Sequence, residues 1–173
     1  ELREQWDLGK PKSKFNGLIT EGRTGPGGPR VVLLAPQNFM NESGKSAGPA
    51  RGSKKIELDH VIVVHDEIDL PFGEIRSRLG GGLAGHNGLK SLKANFASPD
   101  FWRVRVGVGR PDSTDPERVS GYVLGRFSEP AAEVRRIVGH MTYNVAAWTA
   151  DLVGQPLPER RADPEGVDAL IAD

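Results

Sequence analysis

His60-Val61-Ile62-Val63-Val64-His65-Asp66-Glu67-Ile68-Asp69-Leu70-Pro71 (residues 60–71) is the stretch on which the fold turns. Its first half is a near-continuous β-branched run, the pattern of a strand covered on both faces, as in a parallel sheet. Its second half is a carboxylate cluster closed by a proline. Open α/β sheets bind their ligands beyond the carboxyl ends of the strands, so this cluster stands where chemistry is expected. Asp66 comes first after the apolar run and should be the least hydrated of the acids. A carboxylate there can orient a histidine and stabilise its charged form; it can equally cap a turn. His65 should point to the opposite side of the strand. It reads as structural, like His60 at the strand's opening and His140 in a helix.

The flanking segments mix strands and helices. Lys14 to Thr20 reads as a short strand, Gly22 to Pro29 as a turn-rich connector, and Arg30 to Ala35 as a buried strand between two prolines. Gly73 to Leu79 alternates. So does Phe101 to Val108, with Trp102, Val104, Val106 and Val108 on one face and Arg103 and Arg105 on the other. Leu2 to Leu8 reads as the end of a helix. A helix over Asn41 to Lys55 is weakened by Gly44, Gly48, Pro49 and Gly52. Further helices are expected near Pro116 to Leu124 and Glu129 to Val153. The last carries Val134, Ile137, Val138, Met141, Val145 and Trp148 at helical spacing. The class is α/β, with one domain over residues 1–153 and an acidic, proline-containing tail over 154–173.

Composition narrows the function classes. The 173 residues are 37% hydrophobic and 27% charged, enough apolar material for a packed core. No apolar run approaches the ~18 residues that cross a bilayer, so a membrane-spanning helix is not expected. Cysteine is absent, which removes disulfides, thiolate metal sites and a cysteine nucleophile. No signal peptide is visible, and the expected location is the cytoplasm. Without cysteine or a His-x-x-x-His spacing, no metal is expected. Lys plus Arg and Asp plus Glu are equal at 23 each, but unevenly spread. Between Arg76 and Arg110 seven cations stand against Asp100 alone, a local charge of +6, whereas the chain from Asp151 onward carries −4. A local basic block on a neutral chain suggests a polyanion patch, although a solvated face would look the same.

The most unusual segment is Gly80-Gly81-Gly82-Leu83-Ala84-Gly85-His86-Asn87-Gly88-Leu89-Lys90. Its glycines permit positive φ and close approach of a ligand to the backbone. Leu89, Leu92 and Phe96 follow at helical spacing, so a helix should begin near Asn87 and present its N-terminal amides. Asn87 is also a natural N-cap. The segment is neither a Walker A motif nor a dinucleotide fingerprint. Lys90, Lys93, Arg76, Arg78, Arg103 and Arg105 flank it, which favours a phosphate ligand. Phe39-Met40-Asn41-Glu42-Ser43-Gly44 lies beyond another strand, where Asn41 can hold an amide or ester group. The N-x-S triplet at Asn41 is read as chance.

Together with Val119-Ser120-Gly121-Tyr122-Val123-Leu124 and Phe101 through Pro111, these blocks resemble the bacterial-type peptidyl-tRNA hydrolase family in order and spacing, over roughly residues 1–153. The resemblance implies a monomeric α/β fold with a mixed, mostly parallel twisted sheet flanked by helices. It implies metal-free cleavage of the ester joining a peptide to tRNA, with peptidyl-tRNA as partner and no cofactor. Asp66 falls on the acid that holds the catalytic histidine. Phe39, Asn41 and Asn87 fall on positions that contact the tRNA end and the peptide. His86 falls on a further active-site histidine, and Arg78 and Arg105 on residues that grip phosphate.

One departure matters. The family opens with a strand, a Gly-Leu-Gly-Asn-Pro-Gly loop and a Thr-Arg-His-Asn segment that holds the general base, and none of these occurs here. The fold is therefore expected to be N-terminally incomplete, with a need for a replacement strand, a partner chain or a rearranged sheet. A positioned base contributes ~10²–10⁴-fold, so little hydrolysis is expected of this polypeptide. The alternative is a non-catalytic RNA-binding relative. A phosphate-binding enzyme of another class would rest on the glycines alone.

Overall fold

The computed structural model describes residues 1–151; the acidic tail expected over 154–173 lies outside them. After a single helical turn, α1 (Leu2–Gln5), the chain forms an antiparallel sheet of β1 (Lys12–Lys14), β2 (Gly17–Arg23) and β3 (Arg30–Pro36) in that order. The single strand expected over Lys14 to Thr20 is instead a hairpin. Phe15 and Asn16 take φ of 55° and 50°, the double left-handed turn that matches strand twist. Asparagine tolerates that region; phenylalanine does so rarely, so the break was not expected there.

A short 3₁₀ turn, Met40–Glu42, leads into α2 (Ser43–Lys54). Two of the glycines that weaken α2 on propensity serve its packing. A Cβ on Gly44 would overlap the carbonyl oxygen of Ser91, and one on Gly48 would lie 3.2 Å from the Asn95 side chain. Their absence lets α2 cross closely over α3 (Asn87–Phe96).

The second sheet has the order β4 (Ile62–Glu67), β6 (Trp102–Gly107), β5 (Ile75–Leu79). β4 runs parallel to β6, and β5 antiparallel to it. Among the described residues three of the four strand pairings are antiparallel, so the expected mostly parallel sheet is corrected to a mixed, mainly antiparallel arrangement. The β-branched run is not covered on both faces either. Val64 is 40% exposed, because β4 lies at the edge of its sheet. His60 belongs to a 3₁₀ turn (Leu58–His60) before the strand, not to its start.

Two helices follow, α4 (Pro116–Val123), capped by the Asp115 side chain, and α5 (Ala131–Asp151). Alternation along β6 divides the core. Trp102 and Val104 join Ile75, Val145 and Trp148 under α5. Fully buried Phe101 joins Leu89, Leu92 and Phe96 under α3 on the other side, with Val63 at its edge. Each such side chain contributes about 1.5–3 kcal/mol of burial. Val138, expected on the core face of α5, is exposed. The second sheet is thus held between α3 and α5, which brings the end of β4 and the start of α3 together.

Candidate active site

Asp66 and His86 meet at that junction. His86 Nε2 lies 3.3 Å from Asp66 Oδ1, with side-chain exposures of 16% for the histidine and 32% for the acid. The other ring nitrogen, Nδ1, accepts the backbone N–H of Leu89 at 3.3 Å and so caps α3. This assigns the proton of the neutral ring to Nε2, which donates it to Asp66. The cap of α3 is therefore His86, not Asn87 as expected; Asn87 is the first helical residue. The hydrogen bond from His86 holds the Asp66 carboxyl below its ordinary pKa, against an opposing effect of burial.

His65 takes part as well. It is 5% exposed, and its Nδ1–H donates to the Asp66 carbonyl oxygen at 2.6 Å. Its ring meets that of His86 edge-on, with centroids 4.9 Å apart. Its Nε2 is buried without a hydrogen-bond partner among the described residues. Burial pulls the His65 pKa down to about 4, so the ring is neutral at pH 7. From the sequence, His65 is expected to be structural. Its adjacency to Asp66 was the available signal, but the approach of the two imidazoles depends on the position of α3.

The loop before α2 completes this corner. Met40 packs on Gly88, where a Cβ would lie 2.5 Å from Met40 Cε. The Gly44 N–H donates to Ser91 Oγ at 3.0 Å, tying the start of α2 to α3. These contacts carry Phe39 and Asn41 to the start of α3. Phe39 is 82% exposed, and Asn41 and Asn87 are both exposed. Asn87 Oδ1 accepts from Lys90 Nζ at 3.4 Å. Gly88 stands out in the sequence as one of the loop glycines, but its packing role, like those of Met40 and Ser91, appears only when two helices cross.

The basic residues form a ribbon. β5 and β6 set Arg76 opposite Arg105 and Arg78 opposite Arg103. Like charges directly opposite destabilise a strand pair, so the arrangement suits an anionic ligand. The four are not alike. Arg78 is exposed, Arg76 pairs with Glu74 at 2.5 Å, and Arg103 is 2% exposed. Arg103, expected from the sequence among the cations flanking a phosphate, points into the protein. Among the described residues no three His, Asp or Glu side chains converge as metal ligands, and no helix is long and apolar enough to cross a membrane.

Comparison with known proteins identifies the family. The sequence profile of the family described as Peptidyl-tRNA hydrolase matches residues 1–159. The chain belongs to the peptidyl-tRNA hydrolase family, a family of enzymes. The peptidyl-tRNA hydrolase of Methylocella silvestris is 50% identical over 121 residues, covering 70% of this chain and 59% of the relative. That of Dinoroseobacter shibae is 42% identical over 158 residues, covering 90% of this chain and 59% of the relative. The crystal structure of peptidyl-tRNA hydrolase from Acinetobacter baumannii matches with a TM-score of 0.70 at 31% identity, covering 90% of this chain and 81% of that one. The chain thus spans about three fifths of the length of these curated relatives.

Proposed function

We propose that this chain binds peptidyl-tRNA and carries the carboxylate side of an ester-hydrolysing site that releases the peptide from tRNA. The observation that carries this reading is the partly exposed Asp66 carboxylate, held by His86 at the start of α3. Hydrolysis requires water to attack the ester carbonyl while a base takes its proton and the ribose oxygen leaves. Asp66 is placed to orient an imidazole and stabilise the charge that it gains. Asn41 and Asn87 offer amides to the ester and the peptide. Phe39 offers an aromatic face on which an unpaired base of the tRNA end stacks, an interaction worth about 1–3 kcal/mol. Arg78 and Arg105 supply phosphate contacts. The protein acts as a monomer in the cytoplasm, with side chains as its only acting groups.

His86 does not supply the base. One nitrogen donates to Asp66 and the other accepts from Leu89, so no lone pair is left for a water proton. We therefore propose that the 173-residue polypeptide by itself turns over slowly, by roughly the 10²–10⁴-fold that a positioned base contributes. The same observation favours a second reading, RNA binding without hydrolysis.

Adding imidazole to this chain with N-acetyl-aminoacyl-tRNA separates the two. The expected result is release above the protein-free imidazole rate, abolished by Asp66→Asn. Equal release with and without protein, alongside salt-dependent tRNA binding, leaves only the binding reading. Fast release without imidazole would overturn the missing base while keeping the hydrolase.

A further inference from the structure

Arg103 stands on the strand that carries Arg105, yet only 2% of it is exposed. Its guanidinium donates to three backbone carbonyls: Gly82 at 2.6 Å, Gly81 at 3.1 Å and Pro99 at 3.3 Å. It lies 4.9 Å from the centroid of the Phe101 ring. Among the described residues no carboxylate forms an ion pair with it. Both terminal nitrogens are thus used, while the buried Nε has no hydrogen-bond partner among the described residues; the planar fork of arginine suits carbonyls that must be held at fixed angles.

Two of those carbonyls, Gly81 and Gly82, belong to the glycine loop, and the other side of that loop faces Arg78. Gly81 takes φ of +97°, and a Cβ there would lie 2.5 Å from Arg78 Cζ and 2.6 Å from its Nε. The exposed Arg78 guanidinium therefore rests on the bare α-carbon of Gly81, while Arg103 pins the carbonyl of the same residue from beneath. Arg78 and Arg103 are also register partners across β5 and β6. Their like charges favour an outward course for the exposed one. Burial, then the neighbouring Arg78 and Arg105 charges, pull the pKa of Arg103 below the ordinary arginine range, which agrees with crowded cations.

We infer that Arg103 is a positioning residue of the RNA-binding ribbon: it touches no phosphate, and holds the Gly81–Gly82 backbone so that Arg78 is presented to one. This rests on the proposed phosphate grip of Arg78 and adds the element that orients it.

A double-mutant cycle tests it. Affinity for tRNA is measured from 0.05 to 0.3 M salt for the wild type, Arg78→Ala, Arg103→Lys and the pair. Arg78→Ala should lower the salt slope by ~0.9, about an eightfold loss of affinity at 0.1 M salt. Arg103→Lys should reproduce much of that loss in the wild type and add less than twofold in the Arg78→Ala background. Additive losses would make Arg103 an independent contributor and overturn the inference while leaving the grip intact. An unchanged slope for Arg78→Ala would overturn both. If Arg103→Lys does not fold, Gly81→Ala decides. It keeps Arg103 but puts a methyl where the Arg78 guanidinium rests, at a φ of +97° that strains any side chain, so its loss of tRNA affinity should be larger with Arg78 present than in the Arg78→Ala background. Equal effects of Gly81→Ala in both backgrounds would overturn the inference.

Discussion

Asp66 and His86 are joined by one hydrogen bond of 3.3 Å, and the same imidazole caps α3 through its opposite nitrogen. The pair therefore links the end of an edge strand to the start of a helix. It also fixes the tautomer of the ring. Asp66 has its imidazole partner within this polypeptide, but that imidazole has no nitrogen free for proton transfer.

Asp66→Asn keeps the shape of the side chain and removes its charge. Imidazole-supported release of the N-acetyl-aminoacyl group should fall ~10²-fold or more, while tRNA affinity changes less than about twofold, since the proposed phosphate contacts are elsewhere. Equal losses in release and binding would mark the residue as structural.

His86→Ala removes the cap of α3 and should lower stability by about 1 kcal/mol, read in urea unfolding. His86→Asn restores a capping side chain that is too short to serve Asp66 in the same way. It should recover most of the stability without restoring release. Recovery of both would mean that the contact with Asp66 has no catalytic consequence.

His65 gives the protein an acid-sensitive core. Its folded pKa of about 4 lies below the unfolded value of 6.5, so the unfolded chain binds more protons between these values. Stability is full above pH 6.5 and falls toward pH 4, on the order of 3 kcal/mol across the window. The lowered pKa of Asp66 acts in the same direction at the acid end. His65→Asn keeps a donor for the Asp66 carbonyl but cannot titrate there. Its urea midpoint should vary less between pH 7 and 4.5 than that of the wild type; an identical slope would remove His65 as the source.

Substituting both Arg78 and Arg105 with alanine should weaken tRNA binding and lower the salt slope by ~0.7–0.9 for each lost phosphate contact. An unchanged slope would move the phosphate grip elsewhere.

Two glycines of α2 should respond in opposite senses. Gly44→Ala forces a methyl into the Ser91 carbonyl, and overpacking of this kind costs about 1–3 kcal/mol. Gly52→Ala meets nothing within 4 Å and should stabilise the helix by roughly 0.5–1 kcal/mol. Thermal melts of the two variants check both signs, and similar shifts would contradict the close helix crossing.

Local pattern carried much of this protein. The strict alternation of Trp102, Arg103, Val104 and Arg105 identified β6 and its two faces, because side chains alternate along any strand. The glycines at 80–88 and the apolar spacing of Leu89, Leu92 and Phe96 marked a loop running into a helix for equally local reasons. Asp66 stood out because polar residues rarely follow an apolar strand without purpose. What lay beyond the sequence was every relationship set by distant segments. A β-branched run looks the same in a covered strand and in an edge strand, so the exposure of Val64 depended on which strands became its neighbours. Arg103 and Arg105 are alike in sequence, yet one is buried beneath the glycine loop because two carbonyls of that loop and one just before its own strand receive it. His86 became cap and carboxylate partner at once only when α3 docked against the end of β4, since a hydrogen bond between residues twenty positions apart exists only after the chain has folded.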